Sequence, residues 1–221
     1  MLTLIGVFQQ RWSGQFTQSL EYEPEEDLVG ASDSKSLQGF GFLTVVENEE
    51  LGWIGGLLIL NASSRPLEFH CTAPVKPSRA QQILYGPTLA SYVCGDLIGA
   101  ALTKKANAHP ELYFTDSLSM LAVRPLIDTP VVCLEGGNNT MGTRDASARI
   151  RIDDGHAKAH GPHAPATVPF QFQSRQMLVD SRFATDQQSA TAILEHGHAL
   201  DLDEPFQRIC EALEETQLRK R

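Results

Sequence analysis

The sequence predicts a mixed α/β (α+β) fold built on one sheet, and three observations lead to this class. Over residues 39–75, apolar residues follow the two-residue period of β-strands in three runs separated by turn-forming residues. Over 87–105, apolar residues instead recur at helical spacing. Two further short apolar runs, "LYFTD" and "TPVVCLE", flank a second helical pattern. The predicted order over 39–135 is therefore an antiparallel three-stranded meander followed by helix, strand, helix and strand in one mixed sheet.

The three strands of the meander differ in their expected burial. The first, "GFGFLTVVE", alternates between apolar faces, and "NEELG" then turns the chain. The second, "WIGGLLILN", is apolar on both sides, so we expect a strand that is covered on both faces. The third strand, residues 67–75, alternates cleanly after the turn "ASSR". Its polar face, which carries Glu68, His70 and Thr72, is expected to be exposed.

Capping residues delimit the predicted helices. In "KPSRAQQILYG", Ser78 is the predicted N-cap and Gly86 is the stop signal. Pro87 suits the first turn of a second helix, in which Gly95 and Gly99 would permit close packing against the sheet. The run "SLSMLAVRP" predicts one short helix that its proline ends.

Composition divides the chain into four predicted regions. Residues 1–38 form a loosely structured acidic arm, because "EYEPEEDLVGASDSKSLQG" offers little apolar surface to bury. Residues 39–135 form the α/β core domain. Residues 136–169, which are rich in Gly, Asn, Ser, His and Pro, form a loop or linker. Residues 170–221 form a small C-terminal α/β appendage that packs on the core.

The appendage is predicted to contain one strand and two helices. The strand lies at "PFQFQ", and Asp186 caps a helix that continues through Leu194. The segment "DEPFQRICEALEETQLRKR" is the clearest helical pattern in the chain, since Phe206, Ile209 and Leu213 form an apolar stripe.

Charge and composition exclude several classes of function. The net charge of −9 excludes a general nucleic-acid binder, because phosphate contacts need clustered Lys and Arg. No apolar run is long enough to span a bilayer, and "MLTLIGVFQQ" lacks the basic lead-in and cleavage site of a signal peptide. The four cysteines form no CxxC pair, which favours a reducing compartment. We therefore expect a soluble cytoplasmic protein with no membrane or nucleic-acid partner.

The order of elements over 39–135 is similar to the ribonuclease H-like arrangement, and it resembles the roadblock/profilin-like modules less closely. The ribonuclease H-like resemblance implies two divalent metal ions held by carboxylates at strand ends, since in-line phosphoryl chemistry needs its charge neutralised on both sides. Glu47 ends the first strand and Asp116 ends the fourth, so they are the catalytic and metal-binding candidates. The sequence departs from the family pattern, in which the first-strand residue is usually Asp. Asp96 is the acidic residue in a suitable place on the long helix.

A second set of candidate ligands lies in the histidine-rich segment "DDGHAKAHGPH". His156, His160 and His163 stand there close to two aspartates, and imidazole and carboxylate groups suit zinc. However, the glycines and proline of this segment oppose a helix, and the spacing matches no established site. We interpret the segment as a solvated His-rich loop and keep the three histidines as metal candidates.

Glu68 and His70, two residues apart on the third strand, could orient a base, but no nucleophile accompanies them. We interpret them as part of a plain exposed strand face. The chain also lacks the GxSxG, Walker, GxGxxG and HExxH patterns.

Two hypotheses from different functional classes follow. The preferred one is a non-enzymatic protein-binding or assembly module, with a protein partner or self-association and no cofactor, because the core lacks catalytic signatures. The strand 67–75 and the terminal helix are its expected contact surfaces. The alternative is a ribonuclease H-like metal-dependent phosphoesterase or nuclease that uses Glu47, Asp116 and a divalent metal. Whether the protein has any catalytic activity is left open at this stage.

Overall fold

The computed structural model describes residues 7–10, 39–48, 50–135, 165–196 and 201–218. Eight strands within these ranges form one sheet with the spatial order β1-β4-β3-β2-β5-β6-β8-β7. The strands are β1 (Val7–Gln10), β2 (Gly39–Asn48), β3 (Gly52–Asn61), β4 (Pro66–Thr72), β5 (Leu112–Thr115), β6 (Val131–Leu134), β7 (Thr167–Phe172) and β8 (Arg175–Asp180).

Four helices and one longer 3-10 helix accompany the sheet in these ranges. The second helix, α2, consists of two α-helical pieces on either side of a π-helical stretch. The elements are α1 (Arg79–Tyr85), α2 (Leu89–Ser91, Tyr92–Gly99 and Ala100–Lys105), the 3-10 helix (Leu118–Leu126), α3 (Asp186–His196) and α4 (Glu204–Leu218). None of the described helices is both long enough and apolar enough to cross a membrane.

The sheet is mixed, and its centre is parallel. Strands β2, β3 and β4 form the predicted antiparallel meander, while β5 pairs with β2 and β6 pairs with β5 in parallel. Phe42 of β2 therefore stands between Leu58 of β3 and Phe114 of β5. Helices lie among these strands, so the predicted mixed α/β class is confirmed.

Strand β3 is covered on both faces, as its doubly apolar pattern predicts. All residues from Ile54 to Leu60 are buried. Ile54 and Leu58 belong to the hydrophobic cluster on one side of the sheet, and Leu57 and Ile59 belong to the cluster on the other. The sheet is thus the middle of three layers.

The outer layers are helical, and each face of the sheet is named here after the helix that packs on it. The α2 face is covered by Ile98 of α2 and Met120 of the 3-10 helix. The α4 face is covered by Ala190 of α3 and by Phe206 and Ile209 of α4. Both clusters contain large, fully buried side chains, so burial of apolar surface on the two faces is the main stabilising contribution.

Two adjacent glycines of β3 let a helix touch the backbone on each face. A Cβ added at Gly55 would lie 2.1 Å from Cγ2 of Ile98, and one added at Gly56 would lie 2.3 Å from Cγ2 of Ile209. Neither position has room for a methyl group at these separations. The paired glycines that weaken a strand by propensity are needed here for the close approach of α2 and α4.

The prediction that β4 presents an exposed polar face is wrong. His70 and Thr72 are 0% and 4% exposed. The Thr72 hydroxyl accepts the N–H of Gly55 at 3.0 Å, so its polar atom is satisfied inside the protein. The free edge of β4 is also occupied, because β1 pairs with it and Val7 lies opposite Thr72. β1 thus covers the outer edge of β4 from Phe69 to Thr72.

Both chain ends depart from the predicted organisation. Strand β1 (Val7–Gln10) lies within the segment 1–38, which was interpreted as an arm, and the rest of that segment lies outside the described residues. The C-terminal segment contributes a β-hairpin, β7 and β8, instead of one strand. Because Leu178 of β8 pairs with Cys133 of β6, the hairpin continues the core sheet and is not a separate appendage.

A buried ion pair joins α3 to the 3-10 helix. The predicted helix from Asp186 is present, but the Asp186 carboxylate, 3% exposed as a residue, pairs with Arg124 through distances of 2.5 and 3.0 Å. The Arg124 guanidinium also lies 4.3 Å from the ring centroid of Phe183. Such a bidentate pair fixes relative orientation, so Asp186 holds the C-terminal elements against the core.

We predict that Gly56→Ala lowers the free energy of unfolding by about 1–3 kcal/mol, because the new methyl group would overlap Ile209 in the closed interface between β3 and α4. Urea unfolding followed by circular dichroism measures the change. Ala62→Ser, which adds one heavy atom in an exposed turn, is the control and should stay within about 0.5 kcal/mol of wild type. Equal stability of the two variants would contradict the predicted contact.

Candidate functional site

β2, β5 and β6 are parallel neighbours, and β5 and β6 end together beside the middle of β2, which continues to Asn48. Asp116 directly follows β5 at this edge of the sheet. Thr44 of β2 donates from its hydroxyl to Oδ2 of Asp116 at 3.0 Å. Thr44 shares the α4 face with Phe42, since strand side chains alternate, so the Asp116 carboxyl lies toward the same face. The sequence interpretation named Asp116 but not Thr44.

The Asp116 carboxyl is poorly compensated by its surroundings. Burial raises the pKa of Asp116 from 3.8 to about 6, and the hydrogen bonds from the Thr44 hydroxyl and from the backbone N–H of Asp116 itself offset only part of this effect. Its second oxygen, Oδ1, is buried and has no hydrogen-bond partner among the described residues. A carboxyl that titrates near neutral pH at the end of a central strand is typical of functional sites.

Two cysteine thiols near this carboxyl remain protonated. Burial, followed by the charge of Asp116, raises the pKa of Cys133 on β6 to about 12 and that of Cys210 on α4 to about 11. A thiol acts as a nucleophile or metal ligand in its thiolate form. Cys133 and Cys210 are therefore inert neighbours of Asp116 at neutral pH.

Glu47 and Asp116, the two predicted metal ligands, lie toward opposite faces of the sheet. Glu47 is exposed, and because it lies three residues after Thr44 on β2 its side chain lies toward the α2 face. Burial and then the charge of Glu47 raise the pKa of Cys94 on α2. Asp96 also belongs to α2; burial raises its pKa, while Arg182 lowers it. Among the described residues, neither Glu47 nor Asp96 therefore joins the Thr44–Asp116 pair.

The three histidine candidates belong to the His-rich segment between β6 and β7. His156, His160 and His163 lie outside the described residues, so their metal-binding role stays a prediction. Over the ranges that the structure describes, no three His, Cys, Asp or Glu side chains are grouped so as to hold a metal ion.

The Glu68–His70 pair is internal, in contrast to the predicted exposed strand face. His70 Nε2 lies 2.8 Å from Oε2 of Glu68, and the same carboxylate accepts the backbone N–H groups of Asn107 at 3.0 Å and Ala108 at 2.9 Å. Burial would raise the pKa of Glu68, but these hydrogen bonds outweigh it and lower the pKa. Glu68 therefore fastens the chain after α2 to β4.

Tyr113 extends this polar cluster across the α2 face. Its ring lies over Gly41, where an added Cβ would be 2.3 Å from Cδ1 of the ring. Burial and then the charge of Glu68 raise the pKa of Tyr113 to about 12. Because His70 and Tyr113 are both buried under the α2 layer, we interpret Glu68, His70 and Tyr113 as a structural cluster.

Helix α1 is the described helix that contributes least to the core. None of its residues is buried, and Ile83 and Leu84 are 65% and 83% exposed. It is held by the predicted N-cap, since Ser78 and Gln81 form a reciprocal capping box, and by stacking of Tyr85 on Tyr92 with ring centroids 4.0 Å apart. In the sequence, this surface is indicated by the adjacent residues Ile83 and Leu84 in a short helix without a long apolar stripe. The sequence interpretation did not identify them as a surface.

Three features therefore stand out: the Thr44–Asp116 pair at the sheet edge, the internal Glu68–His70 pair, and the exposed apolar surface of α1. No protein-family model matches the sequence, and no curated protein matches it either. The functional interpretation therefore depends on the geometry of these features.

We predict that Asp116→Asn stabilises the protein at neutral pH by up to about 3 kcal/mol, because the neutral amide avoids the cost of a buried charge and still accepts from Thr44. The folded state of wild type binds the carboxyl proton more tightly than the unfolded state. The contribution of Asp116 to stability should therefore fall as the pH rises from about 4 to 6, so the variant should gain stability relative to wild type over this range.

Urea unfolding across this pH range measures the difference between wild type and Asp116→Asn. Asp128→Asn is the matched control, since Asp128 is exposed, and its pH profile should follow that of wild type. An Asp116→Asn profile parallel to wild type would show that the carboxyl is not desolvated.

We predict that Glu68→Gln lowers the free energy of unfolding by about 1–3 kcal/mol at neutral pH, because the amide keeps one acceptor oxygen and its NH₂ group leaves the N–H of either Asn107 or Ala108 without an acceptor. Thermal or urea unfolding measures the loss. Glu211→Gln, at an exposed position of α4, is the control and should change stability little. Since the folded-state pKa of Glu68 is lowered, the difference between wild type and Glu68→Gln should shrink as the pH falls through that pKa.

Proposed function

We propose that this protein is a non-enzymatic protein-binding and assembly module whose partner is a second copy of the same chain, joined through α1. The observation that supports the proposal is the exposure of Ile83 and Leu84 on a helix with no buried residue. The other described helices place apolar side chains in the two clusters of the core. An apolar helix surface left in water is typical of a protein-contact site.

The length of α1 makes this exposure informative. Helices of about seven residues are marginal by themselves, and most helical stability in proteins comes from packing of an apolar face. In the described part of the chain, α1 depends instead on its Ser78–Gln81 capping box and on the Tyr85–Tyr92 stack. A partner that covered Ile83 and Leu84 would supply the missing packing, at about 1.5–3 kcal/mol for each fully buried side chain.

Charge favours a second copy as that partner. Arg79 is the sole charged residue of α1, and it occupies the amino-terminal end of the helix, where the helix dipole disfavours a cation. If two copies of α1 pair antiparallel, each Arg79 lies beside the carboxyl-terminal end of the partner helix, where a cation is stabilised. Such a contact is isologous, and two-fold dimers are the commonest assemblies of soluble proteins.

The alternative function, a metal-dependent phosphoesterase or nuclease, has less support. Glu47 and Asp116 lie toward opposite faces of the sheet, and the described residues contain no group of three metal-binding side chains. The acidic net charge of −9 also gives no help in holding a phosphate backbone.

We predict that the wild-type chain forms dimers in a concentration-dependent manner and that the double substitution Ile83→Glu with Leu84→Glu makes it monomeric, because two buried glutamates per helix would be desolvated in the contact. Size-exclusion chromatography with light scattering over a concentration series measures the mass. The matched control is Leu67→Glu, since Leu67 is 39% exposed on β4, and this variant should remain dimeric.

Three results would overturn the proposed self-association. A wild-type chain that stays monomeric at the highest concentration reached has no such contact. A dimer that survives the double substitution uses another surface. A monomer that binds a different protein through α1 is a protein-binding module of another kind, without self-association.

A further inference from the structure

We infer that Thr44 and Asp116 form the floor of a binding site for the primary ammonium group of a small organic ligand. The site lies at the carboxyl end of β5, beside the middle of β2, and it is separate from the α1 surface proposed for assembly. Thr44 supplies a hydroxyl oxygen and Asp116 supplies a carboxylate oxygen that no described residue uses.

The position of the pair favours a ligand site. Strands β2 and β5 are adjacent and parallel, yet the chain leaves β2 toward β3 and leaves β5 toward β6, in opposite directions across the sheet. Ligands of open α/β sheets bind outside the carboxyl ends of strands; Asp116 follows the carboxyl end of β5, while β2 continues to Asn48 and joins β3 in an antiparallel hairpin. Asp116 is partly exposed as a residue while Oδ1 itself is buried, so a ligand has to enter beside the carboxyl to reach that oxygen.

The hydrogen-bonding capacity of the pair favours a donor-rich group. Oδ2 of Asp116 accepts the Thr44 hydroxyl, while Oδ1 is buried without a partner among the described residues. The Thr44 hydroxyl oxygen has donated its proton and still has lone pairs to accept with. Two neighbouring acceptors suit a primary ammonium group, which carries three N–H donors and no acceptor.

The charges around the pair favour a cation. Within the described ranges, the arginines in ion pairs contact Asp180, Asp186, Asp203 and Glu204, and none contacts Asp116. The titratable groups near Asp116 are the protonated thiols of Cys133 on β6 and Cys210 on α4, and Glu135 beyond β6 carries a further carboxylate. An anionic ligand would be repelled there, whereas an ammonium group would supply the missing opposite charge.

An ammonium group fits this floor better than a divalent metal. Hard cations such as Mg²⁺ and Ca²⁺ take about six or more oxygen ligands and bind through clustered carboxylates. Asp116 is a single carboxyl, and Glu47 lies toward the other face. No metal-holding group of three side chains occurs over the described ranges.

Carboxyl-detected NMR of ¹³C-labelled full-length protein tests the inference. At neutral pH the Asp116 signal is followed while methylammonium, ethylammonium or butylammonium chloride is added. We expect a saturable shift with at least one of these ions, together with a fall in the pKa of Asp116. Tetramethylammonium, which has the same charge but no N–H donor, and sodium chloride should give no saturable shift.

Three substitutions assign the binding to the proposed atoms, with backbone amide shifts as the readout. Asp116→Asn should weaken binding about tenfold or more, and Thr44→Val should weaken it about threefold to tenfold, because each removes an acceptor of the ammonium group. Asp128→Asn should bind like wild type. Since Asp116→Asn is expected to be more stable than wild type, lost binding would not reflect unfolding.

Several outcomes would overturn the inference. No saturable shift with any of the three alkylammonium ions means that water or another part of the protein donates a hydrogen bond to Oδ1 of Asp116. An equal shift with tetramethylammonium means a general charge effect. Saturable binding of Mg²⁺ or Mn²⁺ without alkylammonium binding means a metal site. Unchanged binding in Asp116→Asn places the ligand elsewhere.

Discussion

Contact between the backbone of β3 and a helix on each side is the constraint on which the architecture depends. Ile98 of α2 and Ile209 of α4 approach the adjacent positions Gly55 and Gly56 from opposite faces, at separations that exclude a Cβ. Because helices close both faces, the side chains in the interior of the sheet are mainly apolar, with a few polar groups such as His70 buried among them. Asp116 lies just beyond the end of β5, at the margin of these layers.

Polar contacts at the margins of the three layers determine how the pieces are joined. The Glu68 carboxylate bonds to His70 and to two backbone N–H groups beyond α2, so the return of the chain from helix to sheet is fixed at β4. The Arg124–Asp186 ion pair fixes the position of α3 relative to the 3-10 helix. Asp186 is buried and the Glu68 side chain is 18% exposed; removing either carboxylate would leave the groups bonded to it without a partner, which is costly.

Two features of the molecule reduce the stability of the monomer. The Asp116 carboxyl is buried with one oxygen unused, and α1 holds Ile83 and Leu84 in water. Natural chains keep locally unfavourable groups where binding or assembly requires them, because a ligand or partner then recovers the lost interactions. The two features lie in different elements, so ligand binding at the sheet edge and assembly through α1 can be separated by substitution.

Local pattern alone determined the strands of the meander, the double burial of β3 and the Ser78 cap of α1, because each depends on residues within a few positions of one another. Only the tertiary structure decided the burial of His70, the pairing of β1 with β4 and the contact of Thr44 with Asp116. Those two residues are separated by 72 positions. No periodicity or capping rule specifies which polar groups meet across such a separation, because that choice is made when whole layers pack and exclude water.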